Sequence, residues 1–151
     1  MAKPFPLKTL VHLAQQKNDA ATRKLGQLNH HHQSAQSKLD MLHQYRRDYL
    51  GKLSDAEKLG MDLQELRNFQ DFIHRLDDAI AQQTTTVNQA QATVHLGRAD
   101  LTETQRRLRS FETLAQRHVE AESKLVAKQE QKIQDEHSSR RSAYKNSEHS
   151  D

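Results

Sequence analysis

Three consecutive histidines, His30-His31-His32, are the first residues in this sequence that suggest chemistry, and that chemistry would be metal binding. On a helix, successive side chains point about 100° apart, so three in a row cannot converge on one ion. Helical chelation needs ligands four residues apart. The positions four residues on from these histidines are Ser34, Ala35 and Gln36, none of them a good ligand. No metal site is expected, and His32 reads as a polar residue in a helical seam. The carboxylate pairs Asp77-Asp78 and Asp135-Glu136 suggest general acid–base work, which needs an enclosed, desolvating cleft. There is no glycine-rich phosphate loop and no Ser/His/Asp constellation. Cysteine is absent, which excludes disulfides, thiolate metal sites and thiol nucleophiles. The expectation is a chain that is not an enzyme, holds no cofactor and works by binding partners.

The scarce aromatic residues carry more information. Tyr45, Tyr49, Phe69 and Phe72 fall close together about one point of the chain. Tyr49 and Phe69 occupy seam positions and suit a core. Tyr45 and Phe72 occupy flanking positions, where rings stay partly exposed. With Leu42 and Leu76 nearby, the group reads equally as a recognition patch or as a locally wider core.

The elements that carry these residues follow from composition. Of 151 residues, 34% are apolar and 28% charged, with no Trp. That is poor material for a globular core, and it leaves either disorder or an elongated helix pair with one narrow seam. Abundant Ala, Leu, Gln, Glu, Lys and Arg favour the helices. No apolar run approaches the roughly 20 residues that span a bilayer, and no signal-peptide stretch is evident. The expected location is the cytoplasm, with membrane association only through partners.

Lys3-Pro4-Phe5-Pro6 cannot be helix interior, and Pro6 suits a first helical position. From there Leu7, Ala14, Ala21, Leu28, Ala35, Leu42 and Tyr49 recur at steps of seven. A companion series runs Val11, Asn18, Leu25, His32, Leu39, Arg46, Leu53. Eleven of these fourteen places are apolar, which is a sustained coiled-coil pattern. The pattern lapses between Gly51 and Gly60, so a bend is expected over residues 54–62, with Ser54 or Asp55 available to cap a new helical start. It resumes with Leu66, Ile73, Ile80, Val87, Val94, Leu101, Leu108 and Ala115, until Glu122 breaks it. The weaker companions are Phe69, Leu76, Gln83, Ala90, Gly97, Thr104, Phe111, His118 and Leu125. Gly97 and Thr84-Thr85-Thr86 suggest local bending. Helix 1 is thus expected over 6–53 and helix 2 over 63–138, with 139–151 a flexible tail.

Two amphipathic helices joined by a short bend fold back antiparallel, because a single seam is stable only against another seam. The expected fold is all-α: a long antiparallel two-stranded coiled coil, or helical hairpin, whose second helix is longer than the first. Folding about residue 57 would put Leu7 near Leu108 and leave everything from about Phe111 as an unpartnered overhang. Such a seam suggests an external binding surface. Net charge is about +6 over residues 1–53, about −4 over 54–100 and about +1 beyond. Opposite signs on the two helices favour antiparallel pairing; they also suit two ends that address different partners.

Four segments resemble the flagellar FliJ family of the bacterial type III export apparatus. They are Phe5-x-Leu7-x-Thr9-Leu10-x-x-Leu13-Ala14, Lys38-Leu39-x-Met41-Leu42-x-x-Tyr45-x-x-x-Tyr49, Phe69-Gln70-x-Phe72-Ile73-x-x-Leu76-x-x-Ala79-Ile80 and Gln131-Lys132-x-x-Asp135-Glu136. Their order spans nearly the whole chain. The resemblance implies a stalk-like hairpin that binds the hexameric export ATPase and the cytoplasmic domain of the export-gate protein FlhA, and that handles export chaperones. It implies a peripheral location at the cytoplasmic face of the cell membrane, at the flagellar base. The family's gate-binding patch falls on Leu42, Tyr45, Tyr49, Phe72, Leu76 and Ala79, with Lys38 and Gln83 where relatives carry Gln and His. The ATPase-facing end falls on Leu7, Leu10, Val11, Phe111 and Leu125.

Two other classes are compatible with the same pattern. One is a structural coiled-coil rod or homodimeric scaffold of another bacterial complex. The other is a basic helical nucleic-acid binder, suggested by a sequence pI near 9.2. Acids interleave with bases along most of the second helix, and no basic cluster runs into a zipper, so nucleic acid is not the expected partner.

Overall fold

The computed structural model describes residues 6–149; the Lys3-Pro4-Phe5 start and the last two residues of the expected tail lie outside them. Two α-helices account for almost all of the described chain: α1, Pro6–Leu59, of 54 residues, and α2, Leu63–Glu148, of 86. The fold is the all-α helical hairpin that the heptads predict, with the second helix the longer.

The bend is tighter than the lapse in periodicity suggests. Residues 54–59 stay in α1, and the connection is only Gly60–Asp62. Gly60 adopts φ 91°, the left-handed backbone that glycine takes without a Cβ penalty, and its N–H donates to the Glu57 carbonyl at 3.3 Å. Asp62, rather than Ser54 or Asp55, caps the second helix: its Oδ1 accepts the Glu65 N–H at 2.8 Å. The Asp62-x-x-Glu65 spacing is that of a capping box. Ser54 to Lys58 carry no residue that forbids helix, so α1 ends only where a glycine permits the turn. At the far end, residues 139–148 continue α2 where a tail was expected. Arg, Lys, Ser and Ala there tolerate a helix even without an apolar stripe.

The chain forms two compact units, residues 16–105 and residues 1–15 with 106–151. In the first unit the helices run antiparallel, and cross-helix partners define the register. Arg46 meets Asp77, Gln83 meets the Ala35 carbonyl, and Asn18 meets Thr104. These pairs centre on the Gly60–Asp62 turn rather than on residue 57. The core is a single seam: Ala35, Leu39 and Val87 cluster with Ile80 against them, and Leu76, Ala90 and Val94 are also buried. All fourteen seam positions of α1, from Leu7 to Leu53, are buried or half-buried, as are those of α2 from Leu66 to Ala115. The helix runs unbroken through Thr84-Thr85-Thr86, whose hydroxyls donate back to the carbonyls of Ile80, Ala81 and Gln82. Gly97 is also continuous helix and lies in the seam: a Cβ there would stand 2.8 Å from Leu28 Cδ1.

In the second unit Ala14 and Leu108 are buried, and Leu7, Val11, Phe111 and Ala115 half-buried. The pairing therefore reaches Ala115, not Phe111. From Gln116 to His149 every residue is exposed.

Candidate protein-interaction surfaces

The aromatic residues meet where α1 approaches its end and α2 begins. Tyr49 lies between two rings of α2, 4.9 Å from Phe69 and 4.3 Å from Phe72 between centroids, tilted at 42° and 46°. Tilted rings at these separations gain from quadrupole alignment as well as from burial. Exposure separates the residues that the sequence left open between core and surface. Tyr49 and Phe69 are half-buried in the seam and Leu76 is buried, so these form core. Phe72 is 41% exposed and Tyr45 52%, so these face outward. Leu42 and Ala79 are half-buried beside them in sequence register. Phe72 thus has one face on Tyr49 and another open to solvent. A ring held from behind loses little freedom when a partner covers its front, which is the geometry of an interface anchor.

Beside this group Arg46 Nε donates to Asp77 Oδ1 at 2.6 Å. The Arg46 hydrogen bond and charge, with a smaller contribution from His74, hold the Asp77 carboxyl below its ordinary value against the opposing cost of its desolvation. Arg46 enters the heptad count only as an imperfect seam residue. The signal that could have found its partner is the register itself, which sets Asp77 across from it.

The residues assigned to the other end lie in the second unit. Leu7, Val11 and Phe111 are half-buried, Leu10 is 42% exposed and Leu125 is 60% exposed. They are not one cluster: the first three belong to the paired part of that unit and Leu125 to the part exposed on all faces. That stretch also exposes Val119, Val126, Ile133 and Tyr144. Val119, Val126 and Ile133 recur at steps of seven, on a stripe the earlier heptad series does not contain.

His30 and His31 are exposed and His32 half-buried. Among the described residues no group of three His, Asp or Glu side chains could hold a metal ion. Asp77 is engaged by Arg46, and Asp135 and Glu136 lie on the fully exposed length of α2. No helix among the described residues is long and apolar enough to cross a membrane. What the arrangement offers is surface: a braced aromatic patch in one unit and an uncovered amphipathic helix in the other.

Comparison with known proteins assigns this architecture. The family model for the flagellar FliJ protein matches residues 3–147. The flagellar FliJ protein of Escherichia coli (strain K12) is 31% identical over 140 residues, covering 93% of this chain and 95% of the relative. The flagellar FliJ protein of Salmonella typhi matches with the same identity and coverage. The chain belongs to the flagellar FliJ family and is a component of the flagellar export apparatus.

Proposed function

We propose that this chain is a non-enzymatic, stalk-like adaptor for flagellar protein export. In this reading it binds the export ATPase ring and the cytoplasmic domain of the export-gate protein FlhA, and it handles export chaperones. It works at the cytoplasmic face of the membrane, recruited there by its partners. The observation that carries the reading is the Tyr45–Phe72 surface. Two aromatic side chains stand 52% and 41% exposed over a packed base, at positions the family resemblance links to the gate. Rings left this open on a narrow helical pair cost solubility and add little to the seam beyond the contact of Phe72 with Tyr49, so a partner is their best rationale. The uncovered stretch from Gln116 to His149 supports a second contact, which the reading gives to the ATPase.

Deleting the gene tests the role: cells should swim poorly and retain export substrates, whereas normal flagella would overturn it. Pull-down of the purified gate domain and of the ATPase by the full chain tests the two contacts separately. Binding of neither would overturn both contacts and leave a helical rod that serves the export apparatus through other partners.

A further inference from the structure

The bend holds a second exposed apolar feature that the aromatic patch does not include. Leu59, the last residue of α1, is 89% exposed, and Leu63, the first of α2, is 64% exposed. Tight turns between helices are usually polar, and this one has no structural use for either leucine. Ala56 and Met61 stand at the two positions whose apolar contact commonly accompanies a left-handed glycine turn, and both are half-buried. Leu59 and Leu63 are the surplus.

Their surroundings are acidic. Asp55, Glu57, Asp62 and Glu65 are all exposed in the same dozen residues, against the single cation Lys58. The backbone beneath is fixed by Gly60 and by the Asp62–Glu65 cap, so the leucines are presented in a set geometry. Leu59 also lies two heptads beyond Tyr45 on unbroken helix. A straight helix drifts only about 20° per heptad, so Tyr45 and Leu59 leave α1 on the same side, about 21 Å apart along it.

We infer that Leu59, within its collar of carboxylates, extends the Tyr45–Phe72 surface to the tip of the bend, where Leu63, which leaves α2 on the side opposite Phe72, joins it across the Gly60–Asp62 turn. They form a second anchor that enters an apolar socket rimmed by Lys and Arg on the same partner. The charge of the collar selects a basic rim, and continuity along one side of α1 selects the partner that already covers Tyr45. Like-charged or uncharged sockets are disfavoured by the desolvation of four carboxylates without pairing. The inference rests on the proposed contact with the export gate.

Titration calorimetry of the full chain against the purified cytoplasmic domain of the gate tests it. The variants are Leu59→Ser with Leu63→Ser, Asp55→Lys with Glu57→Lys, and Leu96→Ser. Leu96 is 66% exposed away from the tip and controls for loss of any surface leucine. The double serine variant should bind at least tenfold more weakly with unchanged helix content, and Leu96→Ser should bind as the parent does. The double lysine variant should also bind more weakly and lose the salt dependence the parent shows. Parent-like affinity in the double serine variant, with weakened binding in Tyr45→Ala/Phe72→Ala, would overturn the tip anchor and leave the gate contact standing. No binding by the parent chain would overturn the gate contact itself, and the tip anchor with it.

Discussion

Arg46 and Asp77 meet across the two helices at 2.6 Å, an ion pair that links α1 to α2 in the unit of residues 16–105. Both side chains are partly exposed, 38% and 45%, so the pair acts more on alignment than on overall stability. The Asp77 carboxyl is held low chiefly by its hydrogen bond from Arg46. A carboxylate depressed in the folded state stabilises above its unfolded pKa, about 3.9, and loses that contribution as pH falls through its folded value. The melting temperature of Asp77→Asn should therefore lie below that of the parent at neutral pH and converge with it below about pH 4. Added salt at neutral pH should narrow the same gap.

Gly97 against Leu28 gives a packing prediction. A Cβ at this position would press on Leu28 Cδ1 and approach Leu25 Cδ1 at 3.4 Å; the ends of these leucines can give way to a methyl group, but a full leucine side chain must displace them both. Gly97→Leu should destabilise by about 2 kcal/mol despite its better helix propensity. Leu28→Ala in the same chain should recover part of that loss, measured as a coupling energy by urea unfolding.

The turn should show two separable costs. Asp62→Ala removes the acceptor for the Glu65 N–H and should cost about 1 kcal/mol. Gly60→Ala has open space around it, yet forces a Cβ into φ 91° and should cost about 1 kcal/mol through backbone strain. Urea midpoints read both.

The aromatic group should divide by role. Tyr49→Ala, which removes the ring from between Phe69 and Phe72, should cost about 2 kcal/mol of stability. Tyr45→Ala with Phe72→Ala should leave circular dichroism unchanged and stability only modestly lowered, while weakening gate binding at least tenfold. Proportional loss of stability and binding in that double variant would make the exposed rings core.

Residues 116–149 should exchange their amide hydrogens far faster than the seam. Every residue there is exposed, and side-chain support comes from local pairs such as Gln116 with Glu120 at 3.3 Å and His118 with Glu122 at 3.0 Å. Such pairs contribute only about 0.3–0.5 kcal/mol each. Mass-spectrometric exchange should show protection falling at about Gln116 and returning when the segment's partner is added.

Most of the fold was legible because one seam governs it. The steps of seven from Leu7 to Leu53 and from Leu66 to Ala115 name the residues that are covered, down to the imperfect members Asn18, His32, Arg46 and Gln83. The bend was misread because heptad periodicity can lapse without the helix ending: Ser54 to Leu59 lie beyond the last strong seam contact and are still helix. Glycine conformation and the Asp62-x-x-Glu65 spacing were the better guides. The overhang was misplaced for a related reason, since the register depends on where the turn is centred. At the candidate patch, residue types located the rings, but which face each one showed depended on Tyr49 lying between Phe69 and Phe72. The exposed Leu59 and Leu63 have no sequence signal beyond being leucines beside a glycine.

Three cross-helix polar links within residues 16–105 have a mechanical consequence. A seam of alanine and leucine alone is nearly indifferent to sliding by one heptad, since each apolar residue finds another. Arg46 with Asp77, the Gln83 side chain on the Ala35 carbonyl, and Thr104 with Asn18 are satisfied together in one register. A slip of seven residues would part all three at once; Gln83 could take another backbone carbonyl, but Arg46 and Asp77 would each lose its opposite charge. Helices pinned in this way at three heights cannot shear past each other in small steps. A push or twist applied at one end of this unit then meets resistance to sliding along its whole paired length.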